Sequence, residues 1–82
     1  MATVHRMDGL RVVIYSNDHS PAHVHIVGVE SEAVFNLGCA DGPPSLRENY
    51  GFSRQALVRI GAEIARLLTP LCESWRKVHG TF

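Results

Sequence analysis

Hydrophobic residues recur at every second position in the first half of the chain and at every third or fourth in the last third. Leu10, Val12 and Ile14 alternate with Arg11, Val13 and Tyr15, and Val24 and Ile26 alternate with His23 and His25. A period of two belongs to strands, whose successive side chains point to opposite faces of a sheet. Asp8-Gly9 separates the first two runs, and both residue types tolerate the positive φ that a tight hairpin requires. The runs Thr3 to Met7, Leu10 to Ser16, His23 to Val29 and Glu32 to Leu37 therefore predict three or four antiparallel strands in a meander. One face is apolar and the histidines lie on the other. From Ser53 onward Leu57, Ile60, Ile64, Leu67, Leu71, Trp75 and Val78 follow helical spacing. That stripe is expected to pack on the apolar sheet face, giving an α+β fold with a C-terminal helix.

The helix carries its own punctuation. Ser53 is a good N-cap, and Phe52 before it can pack on Leu57 as a hydrophobic staple, although Arg54 in the first turn opposes the helix dipole. Thr69-Pro70 predicts a break or kink near Pro70, with Thr69 as cap and Pro70 as the first residue of the last helix. Arg59, Glu63 and Arg66, and then Glu73 and Lys77, are spaced to pair along a solvated outer face. Residues 38–52 are irregular, and Ser45-Leu46-Arg47-Glu48 within them matches the S-x-x-E capping box, which predicts a single helical turn. The organisation is one domain over 1–82, β-rich in 1–37, irregular in 38–52 and helical in 53–79.

Composition narrows the classes of function. At 82 residues and 45% hydrophobic content there is material for one small core. A chain this short buries only about 60–65% of its unfolded surface, so modest stability is expected, with self-association open as one way of raising it. Eight basic and eight acidic residues cancel, which argues against a strongly electrostatic nucleic-acid binder but leaves room for a local basic patch. Without a basic-then-apolar leader or a long apolar run, the expected location is the cytoplasm, with no membrane segment. Cys39 and Cys72 have no close-spaced partner. A disulfide between them is open, but reduced, buried, apolar thiols are the expectation for that compartment.

Candidate chemistry concentrates in Tyr15-Ser16-Asn17-Asp18-His19-Ser20-Pro21-Ala22-His23-Val24-His25, which holds three of the five histidines. On a strand, His23 and His25 point the same way with Cα atoms roughly 7 Å apart. His19, on the loop before them and constrained by Pro21, can fold back as a third member. A metal site would use His23, His25 and His19, with Asp18 as an alternative third ligand and zinc as the possible ion. A metal-free site would use the same three histidines as catalytic acid and base on a phosphodiester, with Arg11 or Arg47 facing the phosphate charge. Tyr15, Asp18 and Arg11 are the candidate binding residues, the Tyr15 phenol being placed to donate to an anion. The plainer reading leaves His23 and His25 facing solvent, with Asp18 and His19 bonding the turn. Trp75, Tyr50 and Phe52 read as core or staple residues.

Tyr15, Ser16, Asp18, His19, Pro21, His23 and His25 together resemble the Tyr-Ser-x-Asp-His-x-Pro-x-His-x-His signature of the bacterial family of domain of unknown function 4160. Asn49-Tyr50-Gly51-Phe52 followed by a long helix is similar to that family's second block, while Ser20 and Ala22 depart from the pattern. The resemblance implies one half of a two-gene, toxin–antitoxin-like pair. On that footing the expected function is a small partner-binding protein with a histidine-rich surface patch. The alternative is a hydrolase or ribonuclease-like enzyme using the histidine cluster, with or without a metal. The expected partner is a small protein, with RNA as the other candidate.

Overall fold

The computed structural model describes residues 2–82. Five strands precede two helices: β1 (Ala2–Met7), β2 (Leu10–Ile14), β3 (His23–Val27), β4 (Glu32–Asn36), β5 (Ser45–Tyr50), α1 (Arg54–Arg66) and α2 (Leu68–His79). The strands form one antiparallel sheet in sequence order, a meander without crossovers. Asp8 and Gly9 take φ of 47° and 78°, the doubly positive turn that suits the strand twist of a two-residue hairpin.

The expected α+β meander forms, with five strands where three or four were predicted. Ser45–Tyr50 is β5, not a helical turn, and all six of its residues are exposed. With no buried face it has no hydrophobic alternation to read. It is recruited by backbone pairing to the edge presented by β4, and that pairing overrides the local capping-box pattern.

Val12 and Ile14 of β2, Val24 and Ile26 of β3, and Ala33 and Phe35 of β4 form a core with Ile60 and Ile64 of α1 and Leu71, Cys72 and Trp75 of α2. Ser53 caps α1, its hydroxyl accepting from the Ala56 N–H at 3.1 Å. The two helices meet at Leu67, which caps α2, and Pro70 is the third residue of α2 rather than its first. A proline there removes an N–H that has no intrahelical acceptor in any case. On the outer face Glu63 binds Arg66, and Glu73 binds Arg76 in place of the expected Lys77.

The thiol expectation is corrected. Cys39, after β4, and Cys72, on α2, form a disulfide with Cα atoms 5.8 Å apart across 33 residues. Sequence spacing carried no sign of it, because docking of α2 on the sheet creates the proximity. Among the described residues no helix is long and apolar enough to cross a membrane.

Candidate functional site

The second sheet face, expected to be open to water, is largely covered. Val13 and Val34 lie on it and are 0% and 5% exposed, and His23 is 5% exposed. Val13, His25 and Val34 sit side by side across β2, β3 and β4. The connection from β2 to β3 lies over them: Tyr15 packs edge-on against His25, ring centroids 4.7 Å apart, and Asp18 reaches both histidines.

Asp18 is held by a reciprocal turn. Its N–H donates to the Tyr15 carbonyl at 3.1 Å, and the Tyr15 N–H donates to Asp18 Oδ2 at 3.0 Å. The other oxygen, Oδ1, lies 3.2 Å from His25 Nε2 and 3.5 Å from His23 Nε2. Burial acts to raise the Asp18 carboxyl pKa. The Tyr15 N–H, with His25 and His23, outweighs that and holds it below the ordinary carboxylate value.

Each imidazole is also oriented from its far side. His23 Nδ1 donates to the Pro21 carbonyl at 2.8 Å, and His25 Nδ1 lies 3.3 Å from Glu32 Oε2. The His23 ring packs on Trp75, centroids 5.1 Å apart, so the indole that anchors the core also backs the site. The indole N–H donates to the Thr81 carbonyl at 2.8 Å. Across from His23 in the β3–β4 ladder stands Asn36, whose Oδ1 is buried without a hydrogen-bond partner.

A cavity of about 240 Å³ opens on this cluster, lined by His19, His23, His25, Arg47 and Glu48 among others. Arg47 owes its place to an irregularity in the β4–β5 ladder: Val34 pairs Glu48 and Phe35 pairs Leu46, so Arg47 has no partner. A regular register would set Arg47 opposite Phe35, on the helix side of the sheet. The one-residue slip instead brings it to the cavity side along with Glu48, the re-aiming for which bulges are known.

The structure thus joins Asp18, His23 and His25, with Tyr15 against them and His19 and Arg47 on the cavity wall. His19 does not take the third position. The potential ligand atoms that lie within 4.8 Å of one another belong to Asp18, His23 and His25. Arg11 lies further along β2, opposite Val27, and does not line this cavity. Glu32 was missed from the sequence, though strand parity places it on the face of Val34 and thus diagonal to His25. A larger cavity of about 560 Å³ between the β1–β2 hairpin and α1 contains the His5–Glu63 pair and none of the sequence-predicted site residues.

A family model described as Domain of unknown function (DUF4160) matches residues 9–76. The chain belongs to the DUF4160 family. The match spans the whole candidate site of this DUF4160 protein, from Asp18 through Glu48, and most of both helices. No curated protein and no solved structure matches the chain.

Proposed function

We propose that this DUF4160 protein is a small hydrolase-class enzyme whose centre is the Asp18–His23–His25 cluster and whose substrate carries a phosphodiester, RNA being the candidate to try first. The observation that supports this reading is the convergence of two imidazoles on one carboxylate oxygen, at 3.2 and 3.5 Å, on the wall of a cavity that also holds Arg47. Two imidazoles and a carboxylate grouped in this way can transfer protons themselves or hold a metal ion that activates water, and a guanidinium can face the charge that builds on a phosphoryl group. The test is cleavage of a mixed-sequence RNA and of a simple phosphodiester by the purified chain and by His25→Ala and Arg47→Ala. The reading requires turnover that both substitutions depress by about a hundred-fold or more. Turnover unchanged in His25→Ala removes it.

A second reading, a partner-binding half of a toxin–antitoxin-like pair, is supported by β5. This edge strand is exposed at every residue, with Leu46 and Tyr50 46% and 64% exposed. An unpaired edge of this kind accepts a strand from another chain. Co-purification with the product of a neighbouring gene, lost when proline replaces Glu48, would support it. A monomer that captures no such protein would count against it.

A further inference from the structure

We infer that Asp18 Oδ1, His23 Nε2 and His25 Nε2 form a three-ligand site for one divalent transition metal ion, zinc in the first instance, with its open position facing the Arg47 cavity. The inference deepens the proposed function, since it rests on taking this cleft as the functional centre. It is carried by the convergence of three ligand atoms within 4.8 Å of one another and by the group that orients each imidazole from its far side.

The Pro21 carbonyl can only accept, so His23 must carry its proton on Nδ1. In the neutral ring, Nε2 then presents a lone pair, and it presents it to a carboxylate oxygen 3.5 Å away. His25 has a carboxylate at each ring nitrogen. Its Nδ1 faces the Glu32 carboxylate, and its Nε2 faces the same Asp18 oxygen at 3.2 Å. One cation held among these three atoms would satisfy the carboxylate oxygen and both Nε2 positions at once.

The separations are long for direct charge-assisted hydrogen bonds. Charge-assisted N–H to carboxylate bonds run about 2.7–2.9 Å, shorter than the 3.2 and 3.5 Å here. A single cation accounts for the same distances. Ligand atoms bonded to zinc at about 2.0–2.1 Å in a tetrahedron stand about 3.3 Å apart, whereas neighbours in an octahedron with bonds near 2.1 Å stand about 3.0 Å apart. The two histidine-to-carboxylate separations lie on either side of the tetrahedral figure, and all three ligand atoms lie within 4.8 Å of one another. Metal-binding histidines characteristically donate their other ring N–H to a backbone carbonyl or a carboxylate, the roles taken here by Pro21 and Glu32. A fourth position open to solvent is the arrangement of catalytic rather than structural zinc.

The test is calorimetric titration of metal-stripped protein with zinc, and separately with cobalt followed by visible absorption. We expect one ion per chain and the intense cobalt bands of a tetrahedral site. Asp18→Asn and His25→Ala should each weaken zinc binding by at least about a hundred-fold, and Glu32→Gln by about ten- to a hundred-fold. His5→Ala, on β1, should leave it unchanged. Because these variants can lose structure, the unmodified chain provides an independent readout. In a long-range proton–nitrogen correlation spectrum, zinc should move Nε2 of His23 and His25 to metal-bound positions while each Nδ1 stays protonated. Absence of saturable binding, binding undiminished in both Asp18→Asn and His25→Ala, or shifts confined to other histidines overturns the inference. Zinc uptake with no hydrolysis would sustain the site and remove the hydrolase reading alone. Hydrolysis by stripped protein that takes up no metal would do the reverse.

Discussion

Removing the Cys39–Cys72 crosslink is the perturbation whose size follows most directly from the fold. The bond closes a loop of 33 residues' separation between the end of the sheet and α2. In the chain-entropy description, such closure lowers the entropy of the unfolded chain by about 12–13 cal/mol/K, or just under about 4 kcal/mol at 25 °C. For a domain of this size total stability is of the order of 4–12 kcal/mol, so the loss takes a third or more of it. Each kcal/mol moves the melting temperature of so small a domain by about 4–8 °C. The Cys39→Ser/Cys72→Ser double variant should therefore melt some 15–30 °C below the parent protein. Dithiothreitol should lower the parent's melting point similarly and leave the variant's unchanged. Circular dichroism melts of the four samples provide the comparison, and thiol titration of the denatured, unreduced parent should find no free thiol. Two free thiols there, or a variant melting within a few degrees of the parent, would refute the reasoning.

Three further outcomes follow from local geometry. Gly38→Ala should destabilise by more than about 1–2 kcal/mol in urea unfolding, because φ is +68° and an added Cβ would lie 2.9 Å from the Pro43 carbonyl oxygen. Ser53→Ala should cost about 1 kcal/mol by the same measurement, since its hydroxyl accepts from the otherwise unpaired Ala56 N–H. The Tyr50 phenol donates to Glu48 at 2.8 Å, and this bond, with the carboxylate's charge, raises its pKa above the ordinary value. Glu48→Gln should bring the ultraviolet titration of that tyrosine to lower pH, and an unmoved titration would mean that the contact does not persist in solution.

Much of the scaffold could be read from local pattern. Alternation gave three or four strands, the Asp8-Gly9 pair gave the hairpin, and the three- and four-residue spacing from Leu57 to Trp75 gave the helical stripe, because each is a short-range property of the chain. The same parity put His23 and His25 on one face opposite Val24 and Ile26. Strand β5 was illegible because an exposed edge strand has no buried face to impose alternation, and its pairing partner is supplied by β4.

The site divides in the same way. The histidine pair was legible in sequence, but the choice of Asp18 over His19 as its third member was not. That choice depends on how the 15–22 connection lies back over the sheet, where the turn with Tyr15 aims one carboxylate oxygen at both rings. Arg47 reaches the cavity only through a one-residue slip between β4 and β5. The Cys39–Cys72 bond likewise exists only once α2 has docked. The sequence by itself determined the periodicities and the shared face of His23 and His25, which depend on neighbours a few residues apart. Only the tertiary structure decided the fifth strand, the third member of the cluster, the arginine on its wall and the disulfide, because each joins groups that the chain holds apart until it folds.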